Sequence, residues 1–338
     1  MIIDSHAHIV MPDAAYRFAA NLVASRANPM EPPRIPNDDI LRPVTEAHIR
    51  NMDKVGTDIQ FISPRPYLQL HSVRPPKVTA VWTRYVNDMI ARQCEMFPDR
   101  LKGVAGLPQH RLLSPTNSLD ELERCVKELG FIGCLLNPDP TEGEGEPPPG
   151  LGDEFWYPLY EKMCALDVPA LIHSASSCQP RESYTLKFIN EESTAIISIL
   201  DSKVFDKFPK LKIVVPHGGG AIPFQMGRFR AWTSRRKGGE SFDAMCRKLH
   251  YDTCNYSKEA LDFLFRIMGT DNCLFGTERP GTGTALNAEW GHDFDDLKPI
   301  IESIEGLSAE DRKKIFEDNA RKLYTTNFGH PHRHGHKH

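Results

Sequence analysis

Two histidines near the start of the chain have a spacing that suits metal binding. His6 and His8 occur in the run DSHAH, directly after a short apolar stretch. Residues two apart in extended backbone point to the same side, so both imidazoles can reach one cation. This spacing alone is a weak signal, because paired histidines are often only hydrogen-bonded within a fold.

Three further polar residues follow apolar runs and strengthen this interpretation. His173 ends the run PALIH, His217 follows KIVVP, and Glu278 follows CLFGT. In barrels built from parallel strands, the active site lies at the carboxyl ends of the strands. A single histidine there is usually a satisfied, hydrogen-bonded residue, whereas four histidines and a carboxylate favour a metal-dependent active site.

Short apolar runs alternate with longer amphipathic segments, which is typical of repeated strand–helix units. The predicted strands are 2–4, 57–62, 101–106, 133–136, 170–173, 211–215, 250–252 and 273–276. Predicted helices include 118–128, 155–165, 260–268 and 309–317, the last preceded by a capping pair, Ser308 and Asp311. Eight repeats without a Gly/Ser linker predict an α/β fold, a single (β/α)8 TIM-type barrel over residues 1–329. A doubly wound sheet is the alternative that strand counting leaves open.

Two stretches do not fit the repeat. Residues 11–50 contain ANPMEPPRIPNDD, are too proline-rich for one helix, and are interpreted as an insertion after strand 1. Residues 137–153, NPDPTEGEGEPPPGLGD, predict a long loop after strand 4. Loops that follow barrel strands cover the active-site face. The alternative is that both stretches are solvent-exposed surface loops without a role in the site. The tail 330–338 has five histidines in nine residues and is expected to be disordered.

Composition excludes several classes of protein. The chain has 41 Lys+Arg against 45 Asp+Glu, a net charge of −4, and so lacks the basic surplus of nucleic-acid-binding domains. Its apolar runs are far shorter than the ~20 residues of a membrane span, and no signal peptide is visible. Eight cysteines without a C-x-x-C pair are interpreted as reduced and structural. These features predict a cytoplasmic protein without nucleic acid or membrane partners.

The motifs together resemble the amidohydrolase superfamily. They follow its order of HxH, a strand-5 histidine, a strand-6 histidine and a strand-8 acid. More narrowly, they are similar to the branch that contains aminocarboxymuconate semialdehyde decarboxylase with related decarboxylases and hydratases. The matching segments span nearly the whole chain and are MIIDSHAH, FISPR, FPDRLKGVAGLPQ, LNPDP, FWYPLYEKM, IHSASSC, VVPHGGGAIPFQMGRFR and YDTCNY.

This resemblance implies one divalent metal ion, and the imidazole and carboxylate donors favour zinc. It implies that His6, His8 and His173 are metal ligands. Glu278 is implied either as the fourth ligand or as a base beside the metal-activated water, and His217 as a catalytic or substrate-facing group. LLNPDP stands where two-metal members carry a carboxylated lysine, so a single ion is expected.

The strand-8 glutamate is similar to the hydratases of the branch, since many of its decarboxylases carry aspartate there. The resemblance therefore implies hydration of a conjugated oxo-polycarboxylic acid, such as 4-oxalomesaconate of aromatic-acid degradation, by a homodimer or higher homo-oligomer. Non-oxidative decarboxylation of an aromatic or muconate-type acid is the alternative, and a hydrolase or a non-catalytic metal-binding barrel fits less well. The next segment, RPGTGTALNAEWGHDFDD (279–296), differs from the hydratase pattern and borders the site.

A small carboxylic acid substrate with several carboxylates needs groups that bind them. Arg65, after strand 2, and Arg228, in MGRFR, are predicted carboxylate clamps, because a planar guanidinium can bond both oxygens of a carboxylate. Arg230 in the same run is interpreted as a surface ion pair. Further candidate substrate contacts are Asn137, His71 and Tyr184.

Overall fold

Eight parallel strands surround the centre of the molecule, in the order in which they occur along the chain. The computed structural model describes residues 1–28, 34–235 and 239–329. The strands are β1 (Ile3–His8), β2 (Ile59–Ser63), β3 (Leu101–Ala105), β4 (Gly133–Leu136), β5 (Ala170–Ile172), β6 (Ile213–Val215), β7 (His250–Asp252) and β8 (Cys273–Leu274). Each pairs in parallel with the next, so the predicted barrel is confirmed; a doubly wound sheet would reverse its strand order part-way across.

Backbone hydrogen bonds connect the residues at and after β8 to β1. Ser5 N donates to Phe275 O over 2.8 Å, and Glu278 N donates to His6 O over 2.7 Å. These bonds bring the two ends of the chain together at the barrel seam. Glu278 and His6 are neighbours for that reason.

Helices connect successive strands on the outside of the barrel. The α-helices are α1 (Asp13–Ala24), α2 (Asp38–Lys54), α3 (Pro76–Met96), α4 (Leu119–Lys127), α5 (Tyr157–Leu166), α6 (Tyr184–Leu200), α7 (Val204–Lys207), α8 (Met226–Thr233), α9 (Phe242–Cys246), α10 (Lys258–Met268), α11 (Lys298–Glu302), α12 (Ala309–Lys313) and α13 (Asn319–Leu323). A π-helix, Lys314–Asp318, joins α12 to α13, and β9 (Leu286–Asn287) pairs with β10 (His292–Asp293) in a small hairpin. Among the described helices, none has the length and apolar character needed to cross a membrane.

Local sequence explains how several helices form. Ser308 and Asp311 make the predicted capping box at the start of α12. Ser183 accepts a hydrogen bond from the third residue of α6, which caps that helix beside the site. The spacing of Leu122 and Val126 buries one face of α4, as predicted.

The two stretches that interrupt the repeat differ from each other. The prediction that residues 11–50 do not form one helix is confirmed. Two helices, α1 and α2, occupy most of this insertion. Residues 29–33, part of the proline-rich segment between these helices, lie outside the described residues. Residues 137–153 contain no helix or strand. The histidine-rich tail 330–338 also lies outside the described residues.

An apolar layer fills the barrel on the amino-terminal side of the polar residues that follow or end the strands. Its members from the strands are Ile3, Phe61, Val104, Leu135, Leu171, Val214 and Leu274. Tyr324, just after α13, packs on Phe61 with ring centroids 4.8 Å apart and closes this end. The buried polar side chains His8, Ser63 and Asp252 lie at the opposite, carboxyl ends of the strands, where each needs a hydrogen-bonding partner.

Gly276, which follows β8, allows three strands to approach one another closely. A Cβ at this position would lie 3.0 Å from His6 Cβ and 3.1 Å from Asp252 Cβ. Both distances are shorter than ordinary van der Waals contacts, so the ends of β1 and β7 would have to move. We expect Gly276→Ala to lower the free energy of unfolding by about 1–3 kcal/mol, the usual cost of overpacking.

Urea denaturation followed by circular dichroism measures this change. Gly306→Ala is the matched control, because a Cβ there would meet no heavy atom within 4 Å. Its free energy of unfolding should stay within about 0.5 kcal/mol of the wild-type value. Equal stability of the two variants would contradict the close approach at Gly276.

Candidate metal centre and active site

Four imidazoles converge on one carboxylate at the carboxyl ends of the strands. Each imidazole Nε2 atom lies 3.2–3.4 Å from Glu278 Oε1. The four residues are His6, His8, His173 and His217. The structure therefore brings together all five side chains that the strand-end pattern singled out.

Side-chain oxygen atoms at the ends of two other strands, β7 and β2, hold the two histidines of β1. His6 Nδ1 lies 2.6 Å from Asp252 Oδ2, at the end of β7. His8 Nδ1 lies 2.9 Å from Ser63 Oγ at the end of β2, and the Ser63 hydroxyl donates its hydrogen to Ala7 O. Because that hydrogen is already used, Ser63 accepts from His8 Nδ1, and the lone pair of the His8 ring is left on Nε2.

The other two histidines are oriented in the same way. His173 Nδ1 donates to Ser174 O over 2.9 Å, and His217 Nδ1 donates to Glu192 Oε1 of α6 over 2.6 Å. A carbonyl or carboxylate oxygen can only accept, so each Nδ1 carries a hydrogen. Metal-binding histidines usually have this arrangement, since it directs Nε2 at the ion.

The donor set fits a divalent cation. The buried Nε2 atoms of His6 and His217 form no hydrogen bond, although Glu278 lies close to both. Unpaired buried nitrogen atoms are rare and costly, and a cation between them would satisfy their lone pairs. The ligand atoms that lie within 4.8 Å of one another come from His6, His173, His217 and Glu278. His8 approaches Glu278 but is outside that group, so the geometry adds His217 to the candidate ligands that the resemblance implies.

Glu278 is held in one orientation by its backbone and by Tyr256. Its φ of 57° lies in the left-handed region, which non-glycine residues rarely adopt, and His217 has a φ of 52°. Tyr256 Oη lies 3.2 Å from Glu278 Oε2 and 3.0 Å from Thr277 O, so its one hydrogen is shared between these two oxygens. Burial raises the pKa of Glu278, but the surrounding histidines, His217 above all, hold it well below its usual range. The carboxylate is therefore ionised.

Glu192 and His217 form a buried acid–imidazole pair. Burial raises the pKa of Glu192 to about 7, although His217 opposes this effect. Burial lowers the pKa of His217, but Glu192 and Glu278 raise it well above its ordinary value. The pair therefore holds a proton near neutral pH, next to the Glu278 carboxylate.

A cavity of about 430 Å³ opens over His8 and Glu278. Its other lining residues are Arg65, Pro66, Tyr67, Tyr184, Phe188, Pro280, Gly281, Thr282 and Thr284. A cavity of about 590 Å³ beside Arg111 and Trp156 is larger, but none of the converging histidines lines it. The smaller cavity is the candidate substrate pocket, because of these two it is the one lined by members of the imidazole–carboxylate cluster, His8 and Glu278.

Arg65 supplies a positive charge to this pocket. Its Nε donates to Ile9 O over 2.8 Å and its Nη1 to Pro280 O over 3.2 Å. In the part of the chain that the structure describes, no carboxylate forms an ion pair with Arg65. Its placement agrees with the predicted role as a carboxylate clamp.

Aromatic rings form another side of the pocket. The Phe188 ring stacks on the His217 ring, with centroids 5.6 Å apart and 4° between the planes. Tyr184, a predicted substrate contact, lines the pocket and packs on Phe188 at 4.4 Å. The Tyr184 and Phe188 rings meet edge to face, with 67° between their planes, and give this side of the pocket an aromatic surface.

Two predicted substrate contacts, His71 and Asn137, are absent from the pocket lining. Asn137 Nδ2 donates to His71 Nδ1 over 2.9 Å, and His71 Nε2 donates to Leu107 O over 3.0 Å. Burial lowers the pKa of His71 to about 3, so its ring is neutral. Both side chains are buried and bonded to each other, which favours a structural role over the predicted contact with substrate.

Arg228 is also separate from the pocket lining within this chain. It is exposed on α8 and lines a different groove with Ile197 and Trp232. Arg230 Nη2 lies 2.6 Å from Asp243 Oδ1, which confirms the predicted surface ion pair. Of the two predicted arginine clamps, the structure therefore places only Arg65 in the pocket that it describes.

Four residues that complete the site are not singled out by the sequence analysis, namely Asp252, Glu192, Ser63 and Tyr256. Asp252 ends a predicted strand, so its position is a signal of the same kind as that of His173. Ser63 likewise ends β2. Glu192 lies within α6, where nothing in its local sequence distinguishes it from a surface glutamate. Only packing of the helix against the barrel brings it to His217.

An eight-stranded barrel with histidine and carboxylate donors at the carboxyl ends of its strands is typical of metal-dependent enzymes. Residues 3–326 match the family model described as amidohydrolase, and the chain belongs to the amidohydrolase family. The predicted family is thereby confirmed.

Two hydratases and one decarboxylase are similar to this chain over most of their own length. The 2-keto-4-carboxy-3-hexenedioate hydratase of Sphingobium sp. is 37% identical over 329 residues, which are 96% of each chain. The crystal structure of 4-oxalomesaconate hydratase from Rhodopseudomonas palustris is 34% identical, with 96% of each chain covered and a TM-score of 0.86. Gamma-resorcylate decarboxylase of Polaromonas sp. is 28% identical over 306 residues, 84% of this chain and 88% of its own.

We expect His6→Ala to remove one equivalent of bound divalent metal, because it deletes a buried nitrogen from the donor set. Metal analysis of the purified full-length proteins measures the difference from wild type, and any metal on the shared tail 330–338 cancels. His292→Ala is the control, since His292 lies in the β9–β10 hairpin with Nδ1 3.1 Å from Asp293 O. An unchanged metal content in His6→Ala would contradict this ligand assignment.

Proposed function

We propose that this enzyme is a metal-dependent hydro-lyase that adds water to the carbon–carbon double bond of a conjugated keto acid with three carboxylates. The observation that carries this proposal is the likeness to two hydratases along 96% of each chain, at 37% and 34% identity. The names 4-oxalomesaconate and 2-keto-4-carboxy-3-hexenedioate both describe acids of this class. The uncompensated Arg65 and the ionised Glu278 suit such a substrate.

His6, His8 and His173, the ligands that the family resemblance implies, would hold the divalent ion together with Glu278. His217, whose Nε2 also faces Glu278, is assigned to proton transfer in this proposal and not to the ligand set. Zinc is the proposed metal, because it commonly binds imidazole nitrogen together with a carboxylate oxygen. A divalent ion bound there would polarise the keto oxygen as a Lewis acid and make a nearby water more acidic. The Nδ1 partners Asp252, Ser63 and Ser174 keep the three rings in place whether or not the ion is bound.

Glu278 is the proposed general base. Its carboxylate is ionised, lies beside the pocket and is oriented by Tyr256, so it can take a proton from a water that attacks the substrate. The oxygen of that water forms a new bond to the electron-poor carbon. The electron pair of the double bond then moves toward the neighbouring carbon and the keto group.

His217 is the proposed general acid. Glu192 accepts its Nδ1 hydrogen over 2.6 Å and supports a second proton on Nε2, which faces Glu278. That proton goes to the neighbouring carbon and completes the addition of water as hydrogen and hydroxyl. Each of these proton transfers contributes about 10²–10⁴-fold to the rate.

Arg65 and the aromatic wall position the substrate. The Arg65 guanidinium can bind a carboxylate of the substrate, while Tyr184 and Phe188 border its conjugated plane. Holding the acceptor carbon near Glu278 converts the addition of water into a step within one complex. The pocket residues thus act chiefly by orientation.

Decarboxylation of an aromatic acid is the second candidate, since gamma-resorcylate decarboxylase shares 28% identity over most of the chain. One fold can support either chemistry, so the reaction has to be measured. We expect purified enzyme to remove the ultraviolet absorbance of 4-oxalomesaconate without releasing CO₂. Release of CO₂ from hydroxylated benzoates, with no loss of 4-oxalomesaconate, would reassign the reaction while leaving the metal site intact.

We expect Glu278→Gln to keep its fold and its metal, because the imidazoles remain and the amide oxygen can still act as a donor. Its kcat should fall by about 10²–10⁴-fold, since an amide cannot take the proton from water. Turnover, circular dichroism and metal content are measured on the same preparation. Near-normal turnover would remove Glu278 from the mechanism, whereas loss of the metal would make it chiefly a ligand.

A further inference from the structure

The segment 279–296, which differs from the hydratase pattern, forms one wall of the pocket. Its first residues turn sharply after Glu278, and four of them line the cavity, namely Pro280, Gly281, Thr282 and Thr284. The β9–β10 hairpin follows and returns the chain to Asp295. The segment therefore carries both the pocket surface and the side chains that support it.

Asp295 is fully buried beneath this turn and binds it at three points. Its Oδ1 accepts from Arg279 Nη1, and its Oδ2 accepts from Thr284 Oγ1. Its backbone N donates to Gly283 O over 3.0 Å. Thr284 Oγ1 in turn accepts from Gly281 N over 2.9 Å. One carboxylate thus connects both ends of the turn.

Arg279 joins the turn to the rest of the barrel. Its buried guanidinium also donates to Asn51 Oδ1 of α2 over 3.1 Å and to Asp293 Oδ2 over 2.9 Å. Its carbonyl oxygen accepts from Gln60 Nε2 of β2 over 2.9 Å. Charge-assisted bonds of this kind hold their partners more firmly than neutral ones.

The first two residues of the turn contact both the proposed base and the proposed clamp. A Cβ on Gly281 would lie 2.4 Å from Glu278 O, so the turn folds directly back on that residue. The carbonyl oxygen of the preceding residue, Pro280, accepts from Arg65 Nη1 over 3.2 Å. A shift of the turn would therefore change the distance between the Arg65 guanidinium and the Glu278 carboxylate.

We propose that Asp295 is a positioning residue that sets substrate specificity, because it fixes the Pro280–Thr284 turn and with it the spacing between Arg65 and Glu278. This inference rests on the proposed function, in which Arg65 binds a carboxylate and Glu278 acts at a carbon. The distance between Arg65 and Glu278 then selects acids in which the carboxylate and the reacting carbon are separated by the same distance. Asp295 itself does not line the pocket.

The test compares Asp295→Asn with Asp296→Asn. Asp296 is the matched control, because it is the next residue and its carboxylate lies 3.8 Å from His292 Nδ1, on the hairpin side. We expect Asp295→Asn to lower kcat/KM for 4-oxalomesaconate by about 10–100-fold, mostly through KM, as a small displacement of positioning groups does. Asp296→Asn should stay within about twofold of wild type.

Thr284→Val and Thr284→Ser provide a second comparison if Asp295→Asn fails to fold. Thr284 is exposed, and valine removes only the hydroxyl between Asp295 and Gly281. We expect the valine variant to raise KM in the same direction and the serine variant to restore it. A merely structural role would lower Tm in these variants while KM, measured well below Tm, stayed at the wild-type value. That result would overturn the proposal.

A double-mutant cycle with Arg65→Lys tests whether Asp295 acts on substrate binding through Arg65. If Asp295 acts through Arg65, Asp295→Asn should weaken binding much less in the Arg65→Lys background than alone. Tricarballylate, a saturated tricarboxylate with no double bond to hydrate, is the probe, and calorimetry gives its Kd for each variant. If the double variant changes Kd by the product of the two single changes, Asp295 does not act through Arg65, and that part of the proposal is overturned. If wild type binds tricarballylate but does not hydrate 4-oxalomesaconate, the proposed function fails while this cycle still decides the role of Asp295.

Discussion

The enclosure of the Glu278 carboxylate by four imidazoles is the interaction on which the rest of the site depends. Such a cluster is stable in a buried position only if each ring is oriented by its own acceptor. Asp252, Ser63, Glu192 and the Ser174 carbonyl supply those acceptors from four different parts of the barrel. The strand ends must therefore converge closely, which the small residue Gly276 allows.

Two carboxylates of this site have opposite protonation tendencies because their surroundings differ. Glu278 faces several imidazoles and stays ionised, whereas Glu192 faces one imidazole within the protein interior, and burial raises its pKa. A pair of acids with separated pKa values is what a reaction needs when one group takes a proton and another gives one. Here His217 lies between the two carboxylates, with Nδ1 toward Glu192 and Nε2 toward Glu278.

The sequence predicted the five converging side chains because each follows an apolar strand, and parallel strands end at one face of a barrel. The same rule is less informative for Asn137, which follows β4 but is bonded to His71 inside the fold. Arg228 was predicted from the motif MGRFR and not from a strand end, and which face of a short helix such as α8 points outward cannot be read from an isolated motif. A polar residue at a strand end predicts where the backbone places its side chain. The hydrogen-bonding partners of that side chain decide whether it can reach a ligand.

Strand order, the barrel and the identity of the imidazole cluster were thus determined by local patterns, which are apolar runs of strand length ended by polar residues. Only the tertiary structure decided which atoms of those rings face inward, since the Nδ1 acceptors come from distant segments such as α6 and β7. It also decided that the unusual segment after Glu278 forms a pocket wall supported by Asp295. The physical reason is that hydrogen bonds between remote segments depend on packing geometry, and no local spacing in the chain encodes that geometry.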